Sequence, residues 1–315
     1  MAADLDTRVM IGSVELSHPV MTASGTSGHG AELAPYFDLS SIGAVVVKSL
    51  SVMPWAGNPA PRLHPIDGGM INAVGLQGPG VAAWFEQSLP GLVAAGAAVV
   101  VSIWGRSVDE FGAAADAIAH GLAAHAGSDR VLAVEVNLSC PNLEGRRGIF
   151  AHDPEVSAAV VRACARAGRP LWAKLSPNTD RVVEVAEAVV GAGAEAVTLI
   201  NTVVGMVLDP ETGRPVLGNG GGGVSGRVIH PMAVRAVHDV HTALPDVPIV
   251  GVGGVDSAAA ALDLLRAGAR AVQVGTATFA DPRATYRVAR ELDDWARGRG
   301  LDRLAVSTNP FPAGE

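Results

Sequence analysis

Of the chain's 23 basic residues only two are lysine, Lys48 and Lys174, and each closes a short apolar run, Ala44-Val45-Val46-Val47-Lys48 and Leu171-Trp172-Ala173-Lys174. A compact ammonium on a flexible stem reaches a single oxygen or ring nitrogen in a tight pocket where a forked guanidinium does not fit. Two such lysines at the ends of buried strands point to one shared site that stabilises an anion. The competing account is that they snorkel at the surface. Ser24, Asn137, Ser139, Cys140, Ser176, Asn201 and Thr202 follow apolar runs in the same way. An Asn in such a place costs free energy unless it is hydrogen-bonded. Its donor and acceptor suit a planar ligand with imide and carboxylate edges. Taken singly each Asn is more often a turn residue, but as a set converging on one face they are better explained by a ligand.

Cys140 lies in Asn137-Leu138-Ser139-Cys140-Pro141-Asn142. Pro141 prevents an immediate helix, so the thiol leaves a strand into a polar loop, where it could titrate and move a proton. Cys164 reads as packing. Val252-Gly253-Gly254-Val255-Asp256 and Val274-Gly275-Thr276 offer bare backbone N–H groups of the kind that hold phosphate, although turns of this type need Gly anyway. His230, His238 and His241 fall on one expected helix, but no cysteine or acidic residue completes a ligand set with them. They read as a solvated helix face, and no metal is expected. A Gly-x-Ser-x-Gly elbow and a Walker loop are both missing from the sequence.

The elements that must position these residues repeat one pattern, a Gly-Ala pair followed by a β-branched run. It occurs at Gly43-Ala44, Gly96-Ala97, Gly193-Ala194 and Gly268-Ala269. Gly ends a helix in the left-handed conformation, and Val-rich runs suit strands buried on both faces. Eight strands are expected, over 19–23, 44–48, 98–103, 132–138, 171–175, 196–200, 248–252 and 271–275. Ser107-Val108-Asp109-Glu110, Asp153-Pro154, Thr179-Asp180 and Asp256-Ser257 supply helix starts. Eight βα units predict an α/β fold of the TIM (β/α)8 type. A doubly wound sheet is the alternative, but no GxGxxG follows the first strand. The long, Gly- and Pro-rich connections 51–79 and 203–227 follow strand C-terminal ends and are expected to cover the active site.

The 315 residues fit one barrel with insertions, a single domain over 1–315, and 49% hydrophobic residues supply a large core. A net charge of −8 argues against a nucleic-acid binder and suggests no anionic membrane as partner. Two cysteines make no disulfide framework. The start, Met1-Ala2-Ala3-Asp4-Leu5-Asp6, lacks the basic and apolar regions of a signal peptide. A soluble cytoplasmic protein is expected.

Several ordered segments resemble the dihydroorotate dehydrogenase family nearly end to end. They are Met21-Thr22-Ala23-Ser24-Gly25-Thr26, Asn58-Pro59-Ala60-Pro61-Arg62, Met70-Ile71-Asn72-Ala73-Val74-Gly75-Leu76-Gln77, the Asn137 to Asn142 run, Lys174-Leu175-Ser176-Pro177-Asn178, Leu199-Ile200-Asn201-Thr202, Gly251-Val252-Gly253-Gly254 and Val274-Gly275-Thr276. The resemblance implies an FMN-binding TIM barrel that oxidises (S)-dihydroorotate to orotate in pyrimidine biosynthesis. It implies that Cys140 is the base taking the C5 proton while a hydride passes from C6 to FMN. Substrate would be held by Lys48, Asn72, Ala73, Val74, Gly75, Leu76, Asn137, Asn201 and Thr202. FMN would be held by Ser24, Lys48, Ser49, Ser102, Asn137, Lys174, Ile200, Gly226, Gly253, Gly254, Gly275 and Thr276.

Within the family a cysteine base resembles the soluble classes. The segments at Lys174 and Ile200 look like the class that works with an FAD and iron–sulfur subunit and passes electrons to NAD. A homodimer joined to that subunit is the implied assembly. A fumarate-using dihydroorotate dehydrogenase and a flavoenzyme like dihydropyrimidine dehydrogenase are the alternatives, and a flavin-binding scaffold without turnover is a third. One departure stands out: Ser102 occupies a place where the family commonly has Asn beside the flavin, so that contact is expected to be lost or made through water. Trp104 is expected under the flavin or against an outer helix, and the Gly220–Gly223 run to be loose.

Overall fold

In a computed structural model, residues 5–139, 141–142 and 148–304 are described. Eight parallel strands form the central sheet: β1 (Val20–Thr22), β2 (Val45–Val46), β3 (Val99–Ile103), β4 (Val131–Asn137), β5 (Leu171–Lys174), β6 (Ala196–Leu199), β7 (Ile249–Val252) and β8 (Ala271–Val274). From β2 to β8 each strand pairs with the next, and β8 pairs with β1. The last seam closes through Gly43 N donating to Val20 O (2.8 Å) and Thr22 N to Ala44 O (3.2 Å), so the sheet is a barrel with helices outside. The eight expected strands are all present.

Side chains alternate along a strand, so every second residue enters the barrel. At the N-terminal ends these are Met21, Ala44, Val46, Val100, Ala133, Trp172, Ala196, Val250 and Ala271, which pack into one apolar cluster. A hairpin of Val9–Ile11 and Val14–Leu16 plugs that end with Ile11, Val14 and Leu16. Burying each of these side chains stabilises the fold by about 1.5–3 kcal/mol. Two residues further along six of the strands the interior turns polar, at Lys48, Ser102, Glu135, Lys174, Thr198 and Gln273, while Ala23 and Val252 keep it apolar on the other two. The intervening residues face the helices and join the larger outer core, as Val99, Val101, Val134 and Val136 do.

The helix starts are mostly as the sequence indicates. Ser107 caps Val108–Ala124 by accepting from Glu110 N, Asp153 caps Pro154–Cys164, and Ser257 caps Ala258–Ala267. Thr179-Asp180 is a correction, because that helix is Val182–Gly191 with Arg181 at its N-cap. Thr179 Oγ1 instead accepts from Arg181 N, 3.1 Å away, and forms the turn before the helix.

The two long connections are not separate loops. Leu63–Ile66 and Gly69–Asn72 from the first pair with Gly222–Gly226 and Val203–Gly205 from the second, giving one antiparallel four-stranded sheet. It stands over the C-terminal mouth of the barrel. The tetraglycine stretch that composition marks as loose thus supplies strand residues, Gly222 and Gly223.

Candidate active site

A cavity of about 360 Å³ lies between the barrel mouth and this cover, a size suited to a cofactor or small ligand. Both lysines line it. Lys174 is almost fully buried; its Nζ donates to Ser24 Oγ at 3.0 Å and lies 3.8 Å from Glu135 Oε1. Lys48 is half-buried, and among the described residues it has no carboxylate partner. Burial, with the positive charge of Lys174 second, pulls its pKa below the ordinary lysine value. The two ammonium groups therefore give the cavity a local positive character inside an acidic protein.

The asparagines are joined to one another. Asn201 Nδ2 donates to Asn137 Oδ1 (3.2 Å), Asn137 Nδ2 to Ser49 Oγ (3.2 Å), and Thr202 N to Asn201 Oδ1 (2.8 Å). These bonds satisfy part of their capacity and fix the orientation of what remains. Ser102 is fully buried and is not among the residues that line the cavity; its hydroxyl shares a 2.9 Å hydrogen bond with that of Ser49, which does line it.

The cover contributes Asn72, Ala73, Val74, Gly75 and Leu76. Gly75 (φ 75°) and Leu76 (φ 58°) are both left-handed, a conformation that costs a leucine roughly 1–3 kcal/mol. Neighbours hold the segment there: Trp55 Nε1 donates to Gly75 O (3.0 Å) and Asn58 Nδ2 to Ala73 O (3.1 Å). Trp104 does not line the cavity and is buried in the outer core, whose members include helix residues such as Phe111. Its ring meets Trp55 edge-on at 6.0 Å, and the Arg106 guanidinium lies 4.9 Å from the Trp55 ring centre on the same stack. Opposite, Asn72 Nδ2 donates to Gly223 O (3.1 Å). A Cβ on Gly223 would lie 2.6 Å from Thr202 Cβ, so glycine lets the cover approach the mouth.

At the far end, Gly226, Gly253, Gly254, Gly275 and Thr276 come together with Ser24 and Ile200 on the cavity wall. Gly253 (φ 135°) and Gly254 (φ 70°) take a turn closed to other residues, and added Cβ atoms there would lie 2.7 Å from Ala233 Cβ and 2.6 Å from His230 Cβ. His230 Nδ1 lies 2.8 Å from Gly253 O, so this histidine braces the turn; a solvated face is the wrong description of it. Among the described residues no group of three His, Cys, Asp or Glu side chains could hold a metal.

Every expected binding residue except Ser102 lines this one cavity. Cys140 lies outside the described residues, immediately after Ser139 on the cavity wall. The sequence reading missed Glu135 and Gln273, which lie beneath Lys174, as well as the braces Trp55, Asn58 and Ser225, the last accepting from Thr276 Oγ1 at 2.8 Å. Strand alternation carries a signal for Glu135, since a charged residue two before Asn137 must share its interior face. No local signal marks the braces.

The family model for dihydroorotate dehydrogenase matches residues 6–295. A protein of Geobacter sp. strain M21 named dihydroorotate dehydrogenase B (NAD(+)), catalytic subunit, is 44% identical over 301 residues, 95% of this chain and 96% of its own length. Proteins of the same name from Trichlorobacter lovleyi and Desulforudis audaxviator are each 45% identical, covering 93% and 94% of this chain and 94% of their own lengths.

Proposed function

The chain belongs to the dihydroorotate dehydrogenase family, and from that premise we propose that it is the FMN-bearing catalytic subunit of an NAD-linked enzyme that oxidises dihydroorotate to orotate in pyrimidine biosynthesis. The observation that carries this reading is one cavity with a lysine under a hydrogen-bonded serine at its floor, a joined set of asparagines on its wall and a bare glycine turn at its far end. FMN fits that order of donors. The open backbone at Gly253, Gly254, Gly275 and Gly226 suits its phosphate, where a Cβ would intrude. Lys174 and Ser24 suit the electron-rich edge of its ring, and Asn137 and Ile200 the ring itself. When bound, FMN supplies the acceptor for the hydride from substrate C6.

The protein's own residues do the rest. Lys48 draws in the orotate carboxylate, and Asn72, Asn137 and Asn201 hold the imide and carboxylate edges in one plane. Leu76, Gly75 and the backbone of Ala73 and Val74 close over the substrate, excluding water, with Thr202 beside them. Cys140 takes the C5 proton as thiolate. Preorganised Lys174 stabilises negative charge that develops at the cavity floor.

Electrons would leave through a partner subunit carrying FAD and iron–sulfur to NAD; the relatives' names supply NAD(+) and the term catalytic subunit. Val204, Met206 and Leu208 on and beside the cover sheet are 65%, 59% and 53% exposed, apolar area that supports contact with another chain, a second copy or that subunit. No described helix is long and apolar enough to cross a membrane. A cytoplasmic working place belongs to the same proposal.

The test is anaerobic mixing of the FMN-loaded chain with dihydroorotate and, separately, dihydrouracil. Bleaching of the flavin by dihydroorotate alone is expected. Bleaching by dihydrouracil would move the chain to the dihydropyrimidine dehydrogenase reaction, and no bleaching by either would leave a binding scaffold. A fumarate-using enzyme would reoxidise rapidly on adding fumarate.

A further inference from the structure

We infer that Glu135 is a positioning residue of this site, the counterion that holds the Lys174 ammonium at the cavity floor and so sets how strongly that floor draws negative charge. The inference rests on the proposed FMN site and extends it to a residue beneath the cavity, out of the ligand's reach.

Glu135 has no exposed surface, and it lies inside the barrel two residues before Asn137 on β4. A carboxylate in that position is costly unless it is paired and hydrogen-bonded. Gln273, from β8 across the interior, donates from Nε2 to Glu135 Oε2 at 2.9 Å. The other oxygen, Oε1, has no hydrogen-bond partner and stands 3.8 Å from Lys174 Nζ. That distance is too long for a hydrogen bond and short enough for strong attraction in a dry interior. Lys174 is thus suspended between two groups, Ser24 above at 3.0 Å and Glu135 below.

The arrangement has a consequence for the second lysine. Lys48 faces the same cavity without a carboxylate of its own among the described residues, and the two cations repel. Glu135 anchors the Lys174 ammonium against that repulsion and keeps it where Ser24 and the flavin edge can share its charge. Gln273 serves by locking the carboxylate's rotation, so the pair is held from both sides of the barrel.

Sulfite titration of the FMN-loaded chain reads this directly. Sulfite adds to flavin N5 and shifts an electron pair towards the pyrimidine edge, so its dissociation constant reports nearby positive charge without turnover. Glu135→Gln should weaken sulfite binding by about tenfold or more, as Lys174→Met should, and the double variant should be no weaker than Lys174→Met alone. Unchanged or tighter sulfite binding by Glu135→Gln would overturn the inference. So would an equal loss on the Lys174→Met background, which would mark Glu135 as a packing residue only. If Glu135→Gln does not retain flavin, Gln273→Leu takes its place: about threefold weaker binding supports the role, and unchanged binding refutes it. A wild-type chain that holds no FMN would overturn the cofactor reading, and this inference with it.

Discussion

The two ends of the barrel are built from the same strands and do opposite work. Along β5 the interior residues are Trp172 and then Lys174; along β4 they are Ala133, Glu135 and Asn137; along β2, Ala44, Val46 and Lys48. At the lower end these side chains meet Ile11, Val14 and Leu16 of the hairpin plug in one apolar cluster. At the upper end they meet each other through directed hydrogen bonds and charges, under a cover sheet drawn from two distant segments. Hydrophobic burial is non-directional and tolerates modest repacking. The polar mouth depends on geometry and carries costs, such as a leucine at φ 58° and two neighbouring cations. The barrel floor thus contributes stability and the mouth, with its cavity, the chemistry; Glu135 and Gln273 form the layer between them.

Substitutions at each end test that division. The largest effect is expected at the mouth. Cys140→Ala should slow flavin reduction by dihydroorotate about 10²–10⁴-fold in stopped-flow experiments while the yellow flavin stays bound. Normal turnover would remove Cys140 as the base. At the floor, Leu16→Ala should lower the unfolding free energy by about 2–5 kcal/mol in urea titrations. Orotate affinity of the folded variant should be unaltered; a parallel loss of affinity would show that the two ends are coupled.

Asn72→Ala should reverse that pattern. Loss of a hydrogen bond to an anionic ligand is worth about 1.5–3 kcal/mol, so orotate binding should weaken roughly tenfold to a hundredfold. The urea midpoint should scarcely move. A stability loss as large as that of Leu16→Ala would count against a purely functional cover.

The smallest effect has the opposite sign. Burial and Lys174 lower the pKa of Lys48, so the folded state favours its neutral form and the cost of its charge is fully present at neutral pH. That cost is relieved as pH rises towards the ordinary lysine value near 10.4. Lys48→Met should therefore stabilise the fold by about 0.5–1 kcal/mol at pH 7, less at pH 10, and abolish orotate binding. A variant less stable at pH 7 than the parent would show that Lys48 supports the fold.

Much of this was legible along the chain. The eight strands, the glycine turns and the two lysines at strand ends depend on local pattern, because alternation, capping and Gly conformations are set within a few residues. The motif around Cys140 and the segments at Asn72 and Asn201 were equally visible. The hydrogen bond that ties Ser102 to Ser49 on the cavity wall was not legible, since the two are 53 positions apart. Trp104 found its partner in Trp55, far along the chain and on the cover.

The sequence by itself determined which strands exist, which residues end them and which face each residue takes, because a strand's period of two is a local property. Only the closed barrel decided the partners. Ser24 and Lys174 are 150 positions apart, and Glu135 and Gln273 are 138 apart. Such pairs form when closure brings opposite strands within a few ångströms and removes water from between them, which makes each charge depend on its neighbour.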